Sequence, residues 1–280
     1  NNLMNRKQLM QFAQMMQTEK KVWSLQQWLD ENVLGDITKV GTWAYHAHKF
    51  QRFLDTGKPE FSVFANGNKK LSFTTWSVLP LVTCPGKGEC GEFCYSLKAW
   101  RYPAAFFRQA QNLWLLNHDL CTIEQEWMRL PQNIVVRLYV DGDIHNTKVL
   151  AFWFKMLEQR PDILAYGYSK SWDLFLDWFD SGQSFPKNYR LNLSSGSKYS
   201  KRKRDRMMKL PCSRGDYLAV TISKLAAKAG YKTKEYTRAV REAVGKRVFV
   251  CPGTCDTCTP KGHACGLESF NNVPIAIGIH

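Results

Sequence analysis

The sequence predicts an α/β protein whose core is (β/α) barrel-like, of the partial or full TIM type. Short apolar runs rich in β-forming residues alternate with segments that can form helices. Parallel strands need crossover connections of this kind, so the alternation indicates a parallel sheet. Several runs end in polar residues, as strands do where a (β/α) barrel builds its site. With 280 residues and 44% apolar content, the chain is large enough to bury a full core.

The chain divides into three predicted parts. Residues 1–60 form a mainly helical N-terminal arm, because apolar residues recur there at helical spacing before Gly35. Residues 61–250 form the barrel-like domain, which contains a basic segment at 198–247. Residues 251–280 form a cysteine-rich segment that we expect to bind metal.

The strands are predicted from alternation and from apolar runs. Residues 61–75 alternate around Asn66-Gly67, which is typical of a β-hairpin turn. The later β-like runs are 134–140, 163–168, 189–193, 218–222 and 247–250. Together they amount to about six strands, fewer than the eight of a closed barrel.

The charge of the chain favours a polyanionic partner. There are 39 Lys and Arg residues against 24 Asp and Glu, a net charge of +15, and residues 201–250 hold 15 of the basic residues and 4 of the acidic ones. Nucleic acid, either DNA or RNA, is therefore the expected partner. The candidate phosphate-contacting residues are Lys201, Arg202, Arg204, Lys232, Lys234, Arg238 and Arg241.

Two parts of this basic region have different predicted structures. Residues 198–206 are predicted to form a flexible basic loop. Residues 221–243 are predicted either as a helix-turn-helix or as an amphipathic barrel helix with a solvated basic face. No apolar run is long enough for a membrane helix, and the start lacks the apolar region of a signal peptide. We therefore expect a cytoplasmic protein without a membrane partner.

Seven of the nine cysteines fall into two groups. The first group is Cys84, Cys90 and Cys94, and the second is Cys251, Cys255, Cys258 and Cys265. In a reducing compartment such clusters are more often metal or iron-sulfur ligands than disulfides.

Each group leaves alternatives open. Three thiolates on an iron-sulfur cluster leave one iron without a protein ligand, whereas a zinc site would need a His or a distant Cys to complete it. The second group has enough thiols for one zinc ion or one four-iron cluster, with His263 as an alternative ligand. A third alternative joins both groups around a single shared cluster.

Polar residues at the predicted strand ends form a candidate reaction site. Asp141, Asp143 and His145 follow one run and Lys170 follows the next, so we expect acid/base or substrate contacts there. Alternatively, 141–143 is a turn that caps the next helix. Ser194 and Ser195 follow a third run and are candidate cofactor contacts.

Several motifs resemble the "gene product 88" family of phages and plasmids. They are residues 67–71, Leu79-Pro80, 83–86 leading to 94–96, 141–143, 168–171 and the late Cys-Pro with its further cysteines. The resemblance covers roughly residues 65–265.

The resemblance implies a relationship to radical S-adenosylmethionine (SAM) enzymes, in which three cysteines after the first strand hold a four-iron cluster that binds SAM. Cys84, Cys90 and Cys94 would be the cluster ligands, with Tyr95 packed beside them, and the C-terminal four would hold an auxiliary cluster. The spacing of the first group is five and then three residues, whereas the radical enzymes have three and then two. Cys251, Cys255 and Cys258 do have the three-then-two spacing.

Three functions follow from these patterns. The first is a radical-SAM-like iron-sulfur protein, with one or two four-iron clusters, that acts on or with nucleic acid. The second is a non-catalytic DNA- or RNA-binding protein, such as a regulator or maintenance factor of a mobile element, with structural zinc or iron-sulfur sites. The third is a nuclease in which Asp141 and Asp143 bind a divalent ion.

Overall fold

The fold is described by a computed structural model, which covers residues 4–92, 94–255, 258–259 and 262–279. The described residues form seven β-strands, which are β1 Thr74–Thr75, β2 Val135–Leu138, β3 Leu164–Ser169, β4 Tyr189–Ser194, β5 Ser213–Thr221, β6 Phe249–Val250 and β7 Ile275–Ile279. These strands are parallel and form one sheet in the order β1-β2-β3-β4-β5-β7-β6.

Helices precede the sheet and connect most of its strands. They are α1 Arg6–Thr18, α2 Val22–Asn32, α3 Trp43–Thr56, α4 Pro103–His118, α5 Leu120–Met128, α6 Thr147–Gln159, α7 Trp172–Asp180, α8 Lys201–Met208, α9 Lys224–Ala229 and α10 Lys234–Val244. Within the residues that the structure describes, no helix is long and apolar enough to cross a bilayer.

The α/β fold with a parallel sheet is confirmed, and the barrel is partial. Strands β1 and β6 lie at opposite edges of the sheet, so the barrel is not closed. The sequence analysis missed β7, which enters between β5 and β6. In the sequence this last strand follows the second cysteine group, and the described part of the connection before it contains only two short 3₁₀ helices.

The two faces of the sheet have different partners because side chains alternate along a strand. On one face, Val136, Leu138 and Leu191 belong to the large apolar core that includes the helices. On the opposite face, Tyr166 packs with residues of the cysteine-rich segment, including Cys265. The second cysteine group is therefore held against the sheet.

The N-terminal helices share the main core rather than forming a separate unit. Phe12 of α1 stacks on Trp28 of α2 at 5.0 Å between ring centroids. The same ring lies 6.0 Å from Phe106 of α4, and Phe50 of α3 lies 5.4 Å from Phe107. These aromatic contacts hold helices α1, α2 and α3 on the side of the sheet that the helices cover.

The predicted hairpin at Asn66-Gly67 is wrong in its turn and in its length. The turn lies at Asn68–Leu71, where the backbone amide of each residue donates to the carbonyl of the other, and the Asn68 side chain accepts from Lys70 and Leu71 amides. Ala65 then pairs with Thr75 in a single antiparallel bridge. The Asn68 side chain selects this tighter turn because it satisfies two backbone donors.

The predicted flexible loop at 198–206 is also wrong, because most of it is helix α8. The Ser200 side chain caps the helix by accepting from the Lys203 amide at 3.3 Å. Lys203, Arg204 and Arg206 each pair with an aspartate from another part of the chain. These pairs offset the mutual repulsion of the basic residues, which local sequence alone does not reveal.

Glycines let the first cysteine loop lie close to the loops after β3 and β4. A Cβ atom at Gly86 would lie 1.5 Å from the carbonyl oxygen of Lys170, so only glycine fits there. The Gly86 carbonyl accepts from the Lys198 amide at 3.1 Å. A Cβ atom at Gly196 would lie 3.4 Å from the Cβ of Cys90. The loop therefore rests on the carboxyl edge of the sheet.

We expect Gly86→Ala to destabilise the protein by about 2 kcal/mol or more, because the added methyl overlaps a backbone carbonyl. Gly91→Ala in the same loop is the matched control, since its Cβ would meet only the Lys87 side chain at an ordinary 3.7 Å. Urea denaturation of both variants measures the difference. Equal stability of the two variants would contradict this packing.

Candidate metal centre

The first cysteine group lies at the carboxyl edge, above the ends of β2 to β4. Cys84 is close to Cys94 and to Asp143, and burial raises the pKa of its thiol to about 12, with the Asp143 charge adding to the effect. Cys90 and Cys94 are partly exposed. Tyr95 is exposed, and its hydroxyl donates to the Val140 carbonyl at 3.3 Å, just beyond β2.

Asp143 joins the loops that follow β2 and β3. Its carboxylate accepts from the Ser169 hydroxyl at 2.8 Å, the Lys170 amide at 2.9 Å and the Ile144 amide at 2.8 Å. Burial raises the pKa of Asp143, while these hydrogen bonds oppose the increase. The geometry gives this predicted acid/base residue a positioning task at the strand ends.

Asp141 lies nearby and is held by a different set of donors. Its Oδ2 accepts from the Gln109 amide at 3.0 Å, and Ser96 also hydrogen-bonds to the carboxylate. Burial raises the pKa of Asp141. Lys170 is partly buried next to Gly86, with no ion pair or side-chain hydrogen bond among the described residues. Of the three predicted catalytic residues, Lys170 has the side chain that remains available.

The second cysteine group surrounds one small cavity on the sheet face opposite the helices. Its four thiols, from Cys251, Cys255, Cys258 and Cys265, all line this cavity together with His263. Cys251 and Cys265 are each only 9% exposed. Burial raises the pKa of Cys265 to about 12 and also raises the pKa of Cys255 and Cys258. The fold thus brings together four cysteines that the spacing grouped.

Three tyrosines of the sheet face these thiols. The hydroxyl of Tyr166 lies beside Cys255, that of Tyr168 beside Cys265 and that of Tyr217 beside Cys251. Burial raises the pKa of all three tyrosines, and the neighbouring thiols add to it. They therefore stay protonated and can donate hydrogen bonds to thiolates.

Arg214 and Asn192 attach the cysteine-rich segment to the sheet. The fully buried Arg214 guanidinium donates to the carbonyls of Phe270 at 2.8 Å, Val273 at 2.6 Å and Asp216 at 2.7 Å, and to the Asn192 side chain. Asn192 in turn donates to the Cys265 carbonyl at 3.0 Å. The sequence analysis missed both residues, because their partners are distant in sequence and the neighbouring residues do not indicate that a polar side chain on a strand will bind another segment.

His263 packs between aromatic rings instead of facing solvent. Its ring centroid lies 4.7 Å from that of Phe73 and 4.5 Å from that of Tyr166. A Cβ atom at Gly266 would overlap the His263 ring at 1.9 Å from Nε2, so the segment is closely folded around this side chain. His263 therefore lines the cavity together with the four thiols and the aromatic side chains around it.

All nine cysteines are free thiols. Among the described residues, no three His, Cys, Asp or Glu side chains are placed to hold one metal ion. The four thiols are instead distributed around a cavity. Thiolates around one cavity are the ligand type that zinc and iron-sulfur clusters both take.

An open cleft lies beside the first cysteine loop, at the ends of β4 and β5. Its volume is about 440 Å³, which is within the usual range for small-molecule sites. Both predicted cofactor residues, Ser194 and Ser195, line it, as do Trp172 and Tyr199, whose rings stack at 5.6 Å. The Ser195 hydroxyl accepts from the Ala219 amide at 2.9 Å, which fixes the loop to β5.

The basic residues divide into paired and unpaired sets. Arg204 donates to both carboxylate oxygens of Asp216, whereas Lys201 and Arg202 are exposed, with no ion pair among the described residues. Tyr236 and Val240 of α10 are buried and belong to a cluster with residues of β5 to β7. Four exposed cations of this region are Lys232, Lys234, Arg238 and Arg241. Helix α10 is therefore a sheet-covering helix with a basic outer side.

His145 is partly buried just after residues 141–143, and its surroundings disfavour the protonated imidazole. Its Nε2 lies 3.0 Å from the Asn117 Oδ1, and burial lowers its pKa to about 4. In the unfolded chain, His145 takes up a proton near its ordinary pKa of about 6.5. Lowering the pH from 7 to 4 therefore favours the unfolded state through this residue.

We expect His145→Gln to make the free energy of unfolding less dependent on pH between 7 and 4, by close to one proton. The glutamine keeps a polar group near Asn117 but does not titrate. Urea denaturation of both proteins at pH 7 and pH 5 measures the change, and the raised pKa values of Asp141 and Asp143 affect both proteins alike. If the free energy of unfolding changes equally with pH in the parent protein and in His145→Gln, the lowered pKa of His145 is contradicted.

The comparisons with known proteins identify one family. Residues 56–270 match the family model described as Gene product 88, which covers well over half of the chain and includes both cysteine groups. A search of curated proteins and a search of solved structures each found no match. The family resemblance carried by the first cysteine loop and the strand-end motifs is confirmed, and the chain belongs to the Gene product 88 family.

Proposed function

We propose that this protein is an iron-sulfur protein of the radical-SAM-like type that acts on or with nucleic acid. The observation that carries the proposal is the cavity lined by the four C-terminal thiols on one face of the sheet. The separate three-cysteine loop lies at the carboxyl edge, where strand-end sites of this fold class are built.

The crossover between β6 and β7 also supports a cofactor in the C-terminal site. Parallel neighbours need a long connection, which is usually a helix. Here β6 ends at Val250 and β7 begins at Ile275, and the described part of this connection contains only two short 3₁₀ turns. Loops of this length without regular structure usually have a function, or are held in place by a cross-link or a bound ligand. A metal cluster bound to four of its residues would hold the connection in place.

The first group fits a cluster with an open position. Three cysteines are available in the 84–94 loop, and the neighbouring cleft lies next to Cys90 through Gly196. A cluster held there would offer one iron for binding SAM or a substrate and would supply one-electron chemistry. The stacked rings of Trp172 and Tyr199 and the serines at the end of β4 would bind and orient the rest of that ligand.

Nucleic acid is the proposed partner because exposed cations remain after ion pairing is accounted for. Lys201 and Lys246 line the cleft, and the basic side of α10 lies on the same part of the chain. Lysine and arginine contacts to phosphates supply affinity without sequence preference. The cleft and the basic surface together suggest that a phosphate-bearing chain approaches the carboxyl edge.

We expect anaerobically purified protein to be brown and to contain iron and sulfide. Replacing Cys251, Cys255 and Cys258 by alanine should remove about half of the iron if both groups hold four-iron clusters, and so should replacing Cys84, Cys90 and Cys94. Of the two triple variants, only the one that lacks Cys84, Cys90 and Cys94 should lose SAM consumption after reduction. Iron, sulfide and zinc assays with a SAM-cleavage assay measure these effects.

Cys121→Ala is the matched control, because Cys121 is an exposed cysteine of α5 outside both groups. It should leave the iron content and the colour unchanged. A colourless protein that contains zinc alone would refute the iron-sulfur proposal.

The second candidate is a non-catalytic nucleic-acid-binding protein with structural metal sites. It is favoured by the hydrogen bonds that occupy the carboxylates of Asp141 and Asp143, since these leave few polar groups free for chemistry at the strand ends. In this case both cysteine groups would stabilise the fold and the basic surface would do the binding.

We expect charge-neutralising substitution of Lys232, Lys234, Arg238 and Arg241 by glutamine to weaken oligonucleotide binding at least several-fold at low salt. Each lost phosphate contact should lower the slope of log affinity against log salt by about 0.7 to 0.9. Fluorescence anisotropy with single- and double-stranded oligonucleotides measures both effects.

The control is an equal loss of charge from exposed cations elsewhere, at Arg6, Lys39, Lys58 and Arg129. If both sets weaken binding equally, the effect comes from net charge and the assignment of this surface is wrong. Absence of binding at low salt would refute nucleic acid as the partner.

A further inference from the structure

A partly buried arginine lies beside the cavity of the second cysteine group. Arg137 extends from β2 on the sheet face that carries Tyr166 and Tyr168, and its guanidinium carbon lies 4.8 Å from the centroid of the Tyr168 ring. Its Nε is buried and has no hydrogen-bond partner among the described residues. An arginine is always charged, so this position holds a permanent positive charge in a low-dielectric environment.

No carboxylate pairs with Arg137 in the part of the chain that the structure describes. Asp141 acts on Arg137 electrostatically, but no ion pair joins the two among the described residues, and the Asp141 carboxylate accepts from Gln109 and Ser96. A charge with little access to water is costly, and folded proteins normally place a counter-charge close to it. Among the described residues, Arg137 therefore has no carboxylate in direct contact.

The cavity of the second cysteine group lies next to Arg137. The register partner of Arg137 on β3 is Tyr166, and Tyr166 and Tyr168 both line that cavity together with Cys255. Arg137 also interacts electrostatically with Cys255 and with Tyr95, which follows Cys94 of the first group. Its neighbours thus come from both metal-binding segments.

Arg214, which is fully buried near these thiols, has a different task. It lies near Cys265, but its donors are occupied by three backbone carbonyls and by the Asn192 side chain. Arg214 therefore holds the backbone of the segment. Arg137 has donors and charge left for an anion within the site.

Four thiolates that bind zinc or a four-iron cluster carry a net negative charge. We propose that Arg137 is the positioning residue that compensates this charge, and that it thereby strengthens metal binding by the C-terminal cysteines. The inference rests on the metal-binding part of the proposed function, and it is independent of SAM and of nucleic acid. The inference concerns the C-terminal site because Cys255, which interacts electrostatically with Arg137, lines the cavity of that site.

The test uses full-length protein in which Cys84, Cys90 and Cys94 are replaced by alanine, so that the C-terminal group alone binds metal. Anaerobic titration with Co²⁺ follows the thiolate-to-cobalt absorption. Arg137→Gln should weaken Co²⁺ binding by roughly 10- to 100-fold, the usual effect of removing a group that supports metal ligands. Arg137→Lys keeps the charge and should restore most of the affinity.

A second readout is the midpoint potential of the C-terminal cluster after iron and sulfide reconstitution. Loss of the positive charge disfavours reduction, so Arg137→Gln should shift the potential to more negative values, and Arg137→Lys should shift it less. Arg190→Gln is the matched control, since Arg190 lies on β4, two strands away from Arg137, and its buried Nε is also without a hydrogen-bond partner among the described residues. It should change neither readout.

Each contrary outcome overturns the inference. If Arg137→Gln binds Co²⁺ as tightly as the parent protein, Arg137 does not support the site, although the site itself exists. If Arg137→Gln and Arg137→Lys lose affinity equally, the effect is one of packing and not of charge. If the parent protein binds neither Co²⁺ nor a cluster, the proposed function fails together with the inference.

Discussion

The structure depends on how the last parallel connection is anchored. Strand β7 inserts between β5 and β6, so the segment 251–274 begins and ends at adjacent strands of one sheet. The Cys251 amide donates to the Ala276 carbonyl at 2.8 Å, which holds the two ends of this segment together. Because both ends are fixed, the cysteines between them lie against the sheet face that the helices leave free.

This arrangement explains the composition of that face. Strand positions that point toward the helices carry ordinary apolar residues such as Val136 and Leu191. Positions on the other face carry Arg137, Tyr166 and Asn192, whose polar groups would be costly against an apolar helix. Their presence is consistent with a partner that is itself polar or charged. The cysteine-rich segment, with its thiols and with backbone carbonyls that accept from Asn192 and Arg214, is such a partner.

The sequence alone predicts the features that depend on local spacing. The central strands and the two cysteine groups are contiguous patterns, and their predicted positions agree with the structure within a few residues, apart from the start of β5. The helix at Lys201–Met208 was not predicted, because its stability depends on aspartates such as Asp173 and Asp216 that are far away in sequence. Arg137 was also missed, since its neighbours are set by strand register and not by its flanking residues. Long-range charge pairing is therefore the part that local patterns do not encode.

Burial of the thiols links metal loading to protons. Burial raises the pKa of Cys84 and of Cys265 to about 12, so both thiols are protonated at neutral pH when no metal is bound. Metal ligation requires thiolates, and binding must therefore release protons and become tighter as the pH rises. A nearby permanent cation lowers the cost of forming the thiolates, whereas a nearby carboxylate such as Asp143 increases it. Cys255 and Cys84 thus lie in opposite electrostatic environments. Under the proposed metal binding, this difference favours the C-terminal group at equal pH and equal burial.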